Sequence, residues 1–366
     1  MRRTLAVAVK ELLQLRRDPR TLMALVGMPV ILLLIYGFAL SLDVRHIRLG
    51  VVDHDGGPAA REVQQAFLSS GYFDLAALRH DERALDHLFD TERVQAALVI
   101  PAGYGTALAA GRPATLQFVL DGSDAQMATT TLGYARQIVA SLSPVVRKPG
   151  GLGPMRPVPL VWYNPDLSST RFLIPGLLGF ILMVTAVVAT SLAVVREKER
   201  GTMESLRATP LLAIELLVGK TLPYLLIGSL AAAGAVAVAW LLFNVPVSGS
   251  LFWLAVVTLL FLAGGLGWGV LISSLVDTQQ VAFQAALISA MLPTLLLSGF
   301  IFPISSMPRV LQLITHIVPA RYFLVALRGI VLKGTGPEAW GMQAVALVIY
   351  GAAVMLLATV RTVRSI

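Results

Sequence analysis

Six stretches of this chain are long and apolar enough to dictate where it can fold. Leu22–Leu42 runs 21 residues without a charge, about 31 Å as a helix against a hydrocarbon layer about 30 Å thick. Five more follow at about Phe172–Val195, Thr221–Phe243, Leu251–Val276, Val281–Phe302 and Gly341–Val360, and none of the six contains Asp, Glu, Lys, Arg or His. A chain that is 56% hydrophobic and 14% charged, with a mean hydropathy of +0.75, is too apolar for a water-soluble enzyme of 366 residues. The sequence therefore predicts an α-helical polytopic membrane protein with six transmembrane helices. A cleaved signal peptide is the alternative for the first run, with Ala39-Leu40-Ser41 as a weak cleavage site, but the run is long for that.

Charge is unevenly placed. Of 29 basic and 21 acidic residues, 11 and 13 fall between Asp43 and Thr170, which leaves 18 basic against 8 acidic in the rest. Basic residues gather around the membrane part, where anionic headgroups attract them; no soluble basic module exists to bind nucleic acid. Residues 1–21 read as an amphipathic helix in the inner headgroup layer, with Leu5, Val9 and Leu12, beside Ala8 and Leu13, opposite Arg3, Lys10, Gln14 and Arg17. Its basic residues place the N-terminus in the cytoplasm and residues 43–170 outside. Six spans, residues 22–42 and five within 171–366, return the C-terminus to the cytoplasm. Residues 303–340 fit alternation least well, being basic yet outside, and are expected to form re-entrant or interfacial helices. Trp162, Tyr163, Trp253 and Trp340, near span ends, read as interface anchors.

Residues 43–170 form an inserted extracytoplasmic α/β domain. Short apolar runs at Arg48–Asp53, Ala97–Pro101 and Leu116–Asp121 read as buried strands, and Pro58–Ser70, Asp81–Thr91 and Ala125–Ser143 have helical spacing. The Gly- and Pro-rich Lys148–Pro159 is the linker back to the membrane. Asp53-His54-Asp55 could be a metal cluster or the polar end of a strand; with Gly56-Gly57-Pro58 after it, the turn is favoured. Asp121-Gly122-Ser123-Asp124 likewise reads as a turn and helix cap. There is no cysteine, which excludes disulfides and thiolate chemistry. Gly219-Lys220-Thr221 resembles the tail of a phosphate-binding loop, but Ile214 stands where the leading glycine is needed. No metal or catalytic set is expected. Spans without charge argue against a proton-coupled carrier or an intramembrane protease and suit a hydrophobic or amphiphilic substrate. Gly264, Gly265, Gly267 and Gly269 permit close helix approach, in a packed pair or a dimer seam.

The densest charge cluster, Arg196 to Leu211, separates two of the apolar runs. Gly201-Thr202 breaks one helix and offers a cap to the next, and Pro210 closes that one. The outcome is a short helix over residues 197–212 at the cytoplasmic face: a lever gripped by a soluble partner, or an ordinary basic loop. Glu197, Glu199, Gly201, Thr202, Glu204, Leu206, Thr209 and Pro210 together resemble the signature of ABC-2 type transporter permeases. Lys10-Glu11-Leu12-Leu13, Arg17-Asp18-Pro19-Arg20, Leu120-Asp121-Gly122-Ser123-Asp124, Leu297-Ser298-Gly299-Phe300, Met307-Pro308 and Leu327-Arg328-Gly329-Ile330 are also similar to that family, so the resemblance spans the chain. Arg207 stands where an apolar residue is usual.

The resemblance implies a bacterial inner-membrane exporter subunit of the branch with a large outer domain. It carries no cofactor of its own; ATP and Mg belong to a cytoplasmic ATPase subunit that docks on those eight residues. A second permease copy or a similar permease, membrane lipids and a periplasmic adaptor are the other implied partners. The rival reading is a non-transporting scaffold or sensor whose outer domain binds a ligand.

Overall fold

A computed structural model describes residues 2–39, 46–79, 83–91, 93–121, 125–142, 169–201 and 212–364. Two compact units emerge, Met1–Ser41 with Ser168–Ile366, and Leu42–Leu167. The linker Lys148–Pro159, Trp162, Tyr163, His80, Gly122 to Asp124 and residues 202–211 lie outside the described residues.

In the smaller unit, strands β1 (Ile47–Asp53), β2 (Phe73–Arg79), β3 (Ala96–Ile100) and β4 (Gln117–Leu120) form one sheet in the order β2-β1-β3-β4. β1 runs parallel to β2 and β3, and β4 is antiparallel to β3. Period-two alternation sorts the side chains. Ile47, Leu49 and Val51 join Leu98 and Ile100 under α3 (Pro58–Ser69) and α6 (Ala125–Leu142), while Val52, Ala97 and Val99 face α4 (Arg83–Asp90) on the other side. Two elements were not expected. The edge strand β2 leaves Leu75 and Leu78 exposed and so shows no clean alternation; α5 (Tyr104–Ala109) is a single short helix. Asp53 is the polar end of its strand. Its carboxylate accepts from the N–H groups of Asp55 and Gly56, each at 2.9 Å, and from Gln64 Nε2 at 2.8 Å.

The larger unit begins with α1 (Arg2–Arg17) and, among the described residues, has six helices long and apolar enough to cross a membrane: α2 (Pro19–Ala39), α7 (Ser169–Glu199), α8 (Ala213–Phe243), α9 (Leu251–Leu275), α10 (Gln279–Leu297) and α13 (Pro337–Arg364). α7 and α8 each have 31 residues, about 46 Å, so each extends past its apolar run and carries charged residues on the overhang. Between α10 and α13, the helical stretch Arg309–Ile317, which begins with α11 (Arg309–Ile314), meets α12 (Pro319–Val331) at 84°, the geometry of a re-entrant or broken segment. α12 is not interfacial in its packing: Ala320, Phe323, Leu324, Leu327 and Ile330 are buried, and Phe323 stacks on Phe261 with ring centroids 4.0 Å apart. Its cation points inward too. Arg328 donates to the carbonyls of Gly299 at 3.1 Å and Phe172 at 3.4 Å and lies 4.1 Å from the Phe172 ring. Trp340, expected as an interface anchor, is 2% exposed and donates to Thr335 O at 3.1 Å; an indole with its N–H satisfied can serve as core.

α9 is the spine of this unit. Gly265 and Gly269 on one face meet α7, at Met183, Ala186, Val187 and Thr190, while Gly264 and Gly267 meet Tyr350 and Val354 of α13. Both faces of the glycine stripe are thus used inside the chain, as packed pairs. A Cβ at Gly269 would lie 2.1 Å from Thr190 Oγ1 and 2.4 Å from the Val187 carbonyl, and backbone cannot yield as a side-chain tip can. Gly269→Ala is expected to cost about 1–3 kcal/mol, read as a lower thermal unfolding midpoint in detergent. Gly228→Ala, whose Cβ would meet Leu262 at 3.5 Å, is the control and should leave the midpoint unchanged or slightly raised.

Candidate functional site

The terminus of α7 carries Arg196, Glu197, Lys198 and Glu199 in succession. Helical residues turn by about 100° each, so four neighbours cannot share a face; here they fan out and each meets a different part of the bundle. Arg196 Nη1 lies 3.8 Å from Asp18 at the α1–α2 junction. Glu197 turns inward, between α1 and α8. Lys198 donates to the carbonyls of Ser273 at 2.6 Å and Val276 at 3.0 Å, closing the end of α9. Glu199 accepts from the N–H of Gln279 at 2.6 Å and from its side-chain amide, at the start of α10. The signs suit the helix ends: an ammonium meets orphan carbonyls, and a carboxylate meets orphan N–H groups. Gly201, with φ +70°, then ends the helix in the left-handed conformation that glycine adopts without strain.

Glu197 belongs to a four-membered ionic cluster. Lys10 Nζ sits 2.6 Å from Glu197 Oε1 and 3.1 Å from Glu11 Oε1; Lys220 Nζ sits 3.0 Å from Glu11 Oε1 and also pairs with Glu197 Oε2. Glu11, Glu197 and Lys220 are buried, while Lys10 is half-exposed. Two ammonium groups therefore balance two carboxylates. Gly219 makes this possible. A Cβ there would come 2.8 Å from Thr4 O and from Val7 Cβ, so only glycine lets α1 settle on α8 with Glu11 reaching Lys220. A cavity of about 330 Å³ lies beside the cluster, lined by Lys10, Asp18, Arg196, Arg200 and Tyr224 among others.

The local sequence explains the docking of α1, by a face other than the expected one. Val7, Ala8, Glu11 and Leu15 are buried, whereas Leu5, Val9, Leu12 and Leu13 are exposed. Glu11 lies in the middle of the buried face, and its charge hid that face from a hydrophobicity reading. Asp18 starts α2, accepting from the Thr21 N–H at 3.2 Å and hydroxyl at 2.6 Å; these bonds hold its pKa below the usual 3.8. For Lys10, burial works against the ammonium, but the hydrogen bond to Glu197 and the charge of Glu11 outweigh it, and its pKa stands above 10.5.

Of the eight residues predicted to form the docking surface, Glu197 is buried in the ionic cluster, Glu199 is held on α10 and Gly201 is exposed. Thr202, Glu204, Leu206, Thr209 and Pro210 lie outside the described residues. Lys10, Glu11, Asp18, Lys198, Lys220 and Gln279 join the site without having been predicted for it. A lone charge in an apolar helical face, as at Glu11 and Lys220, is the signal that marks such residues.

Removing one member of a buried pair strands the other, at roughly 3–5 kcal/mol. Lys220→Met and Glu11→Gln should each destabilise α1 docking by that order, and the Glu11→Gln/Lys220→Met double variant should lose less than the two losses added, as a double-mutant cycle of unfolding would record. The contribution of Lys10 has a pH signature. With its folded pKa raised, it is fully present below the unfolded value near 10.5 and fades as pH rises through the folded value. Wild-type stability should show that alkaline loss, and Lys10→Met should reduce it.

Comparison with known proteins gives a consistent result. A family model described as ABC-2 family transporter protein matches residues 19–360. The chain is 36% identical over 340 residues to a protein of Escherichia coli strain K12 named probable multidrug ABC transporter permease YbhS, covering 92% of this chain and 90% of that one. It is 31% identical over 326 residues to probable multidrug ABC transporter permease YbhR of the same strain, covering 88% of each. A more distant similarity, 25% over 348 residues, is to ABC transporter G family member 20 of Dictyostelium discoideum, covering 92% of this chain and 47% of that one.

Proposed function

Because the chain belongs to the ABC-2 family of transporter proteins and is a transporter permease, we propose that it forms the membrane path of an exporter driven by a separate ATP-hydrolysing subunit. The substrate is hydrophobic or amphiphilic, of the drug or lipid-like kind, and leaves from the cytoplasm or inner leaflet. The chain lies in a bacterial inner membrane with both termini cytoplasmic and residues 43–170 outside, where they meet substrate or an adaptor. A second permease completes the path. ATP and Mg act on the partner, and this chain supplies transmission.

One observation supports the reading: Arg196, Glu197, Lys198 and Glu199 tie the end of α7, from which residues 202–211 continue, to α1, α8, α9 and α10 at once. A push on residues 202–211 reaches five helices through polar contacts of fixed direction, with α7 as the fifth. The eight signature residues then divide by role. Thr202, Glu204, Leu206, Thr209 and Pro210 make the contact with the ATPase; Gly201 is the joint; Glu197 and Glu199 hold the joint to the bundle. Loop residues gripped by a partner and anchor residues gripped by the bundle are the two ends of one lever.

The two roles separate by experiment. Glu204→Arg should abolish co-purification of an ATPase subunit co-expressed with the permease, with the permease still folded. Glu199→Ala should keep the ATPase bound and its basal hydrolysis intact, yet lower transport, because the tie between the end of α7 and the start of α10 is lost. A permease that purifies alone from cells expressing the ATPase would restore the sensor reading.

A further inference from the structure

Strand β2 is an edge of its sheet, and among the described residues it pairs with β1 alone. An edge strand presents a row of unpaired N–H and C=O groups, which proteins commonly guard by shortness, by Pro or by Lys. The opposite edge, β4, has four residues; β2 has seven, with neither Pro nor Lys among them. It also shows water two leucines, Leu75 and Leu78, each 50% exposed. Leu68, near the end of the α3 helix that packs on this strand, is exposed as well.

A bulge accounts for the two leucines. Leu49 pairs with Leu75 and Gly50 with Ala77, which leaves Ala76 as an extra residue in β2. Phe73 packs under α3 and α6, whereas Ala77, four positions on, packs on the α4 side. In a regular strand the two would share a face; the extra residue reverses the alternation between them. Leu75, two after Phe73, and Leu78, one after Ala77, thereby fall on the same face of the sheet.

The order of residues then makes this edge complementary to itself. Asp74-Leu75-Ala76-Ala77-Leu78-Arg79 has the same apolar residues read in either direction, between an acid and a base. Laid antiparallel on a second copy about a two-fold axis normal to the sheet, it sets Leu75 opposite Leu78, Ala76 opposite Ala77 and Asp74 opposite Arg79, each twice. Opposed residues of an antiparallel pair lie on one face, a condition the leucines meet only because of the bulge. A bulge ordinarily keeps an edge from pairing with a regular strand; against a strand with the same bulge, the extra residues match.

We propose that β2 is a docking edge for β2 of a second copy of this chain, so that two four-stranded sheets join edge to edge. Two leucine pairs, two Asp–Arg pairs and the backbone bonds between them form too small an interface to hold free domains together. The contact closes between copies already gathered in one membrane assembly, where the effective concentration is high. It therefore rests on the reading that a second permease completes the path, and it makes that permease a copy of this one.

The chain has no cysteine, so introduced thiols report alone. Two full-length copies with tags of different size are co-expressed with the ATPase subunit, one carrying Leu75→Cys and the other Leu78→Cys, and their membranes are oxidised with copper phenanthroline. Directly opposed residues have Cα atoms about 4.5–5.5 Å apart, within disulfide reach, so a mixed-tag dimer should form. Leu75→Cys in both copies, or Leu78→Cys in both, puts the thiols at diagonal positions beyond that reach and should cross-link at least about fivefold less. Arg79→Asp in both copies should lower the Leu75–Leu78 yield about threefold or more. Asp74→Arg/Arg79→Asp should restore it, which a merely local effect on folding would not do. Equal yields from all three cysteine placements, no mixed-tag dimer, or no recovery in the double reversal overturns the pairing. An ATPase that co-purifies while the mixed-tag dimer is missing sinks the pairing and leaves the transporter reading standing. A register-specific cross-link in a permease that binds no ATPase supports the pairing and sinks that reading instead.

Discussion

The fan of four charged side chains at the end of α7 is the constraint on which this unit depends. Because a helix advances by about 100° per residue, a run such as Arg196-Glu197-Lys198-Glu199 can only be satisfied if helices surround it. The bundle supplies them, with Asp18, Lys10 and Lys220, the α9 carbonyls and the α10 N–H each at the required bearing. Burying ions is not in itself a route to stability; a buried pair often does no better than apolar side chains of the same volume. What it confers is register. A hydrophobic contact survives a shift of an ångström, whereas Glu197 between two ammonium groups does not, and the transmission proposed for this cluster requires that lack of slack.

The rest of the unit supports this rigidity by close packing. Lipid and protein are equally apolar, so no hydrophobic force gathers the spans, and approach distance decides. Glycines on both sides of α9 let α7 and α13 touch it, and Thr190 adds a 3.0 Å hydrogen bond to the Leu266 carbonyl across that contact. α9 is therefore unavailable as a seam with a second copy along this stripe, whereas α8, α10 and α13 keep exposed apolar side chains.

Legibility followed the physics of each signal. The spans could be read directly because an uncharged run of 20 residues has one common explanation, and the sheet faces because alternation has period two. Boundaries shifted where helices outran their apolar stretch: α8 starts at Ala213 rather than Thr221 because nothing before Lys220 breaks it. The site was legible in half. Charge density and resemblance located the loop and flagged Lys10-Glu11 and Arg17-Asp18, but not what they do. Glu11, Glu197 and Lys220 look like surface residues until their partners are known, and those partners lie up to 209 positions away. Gly219-Lys220 shows the same ambiguity. As a string it resembles a phosphate loop; in the fold the glycine admits α1 and the lysine pairs with two carboxylates.

That separation orders events during synthesis. At about 5–20 residues per second, some 10–40 s pass between emergence of Glu11 and of Lys220, which lie 209 positions apart. Throughout that interval α1 carries a carboxylate without its buried counter-ion, and when α7 arrives with Glu197 a second joins it against Lys10 alone. Only insertion of α8 brings the charge to balance. The cluster thus closes after half the spans are in place, and a chain interrupted before Lys220 leaves two of its carboxylates to share the single ammonium of Lys10.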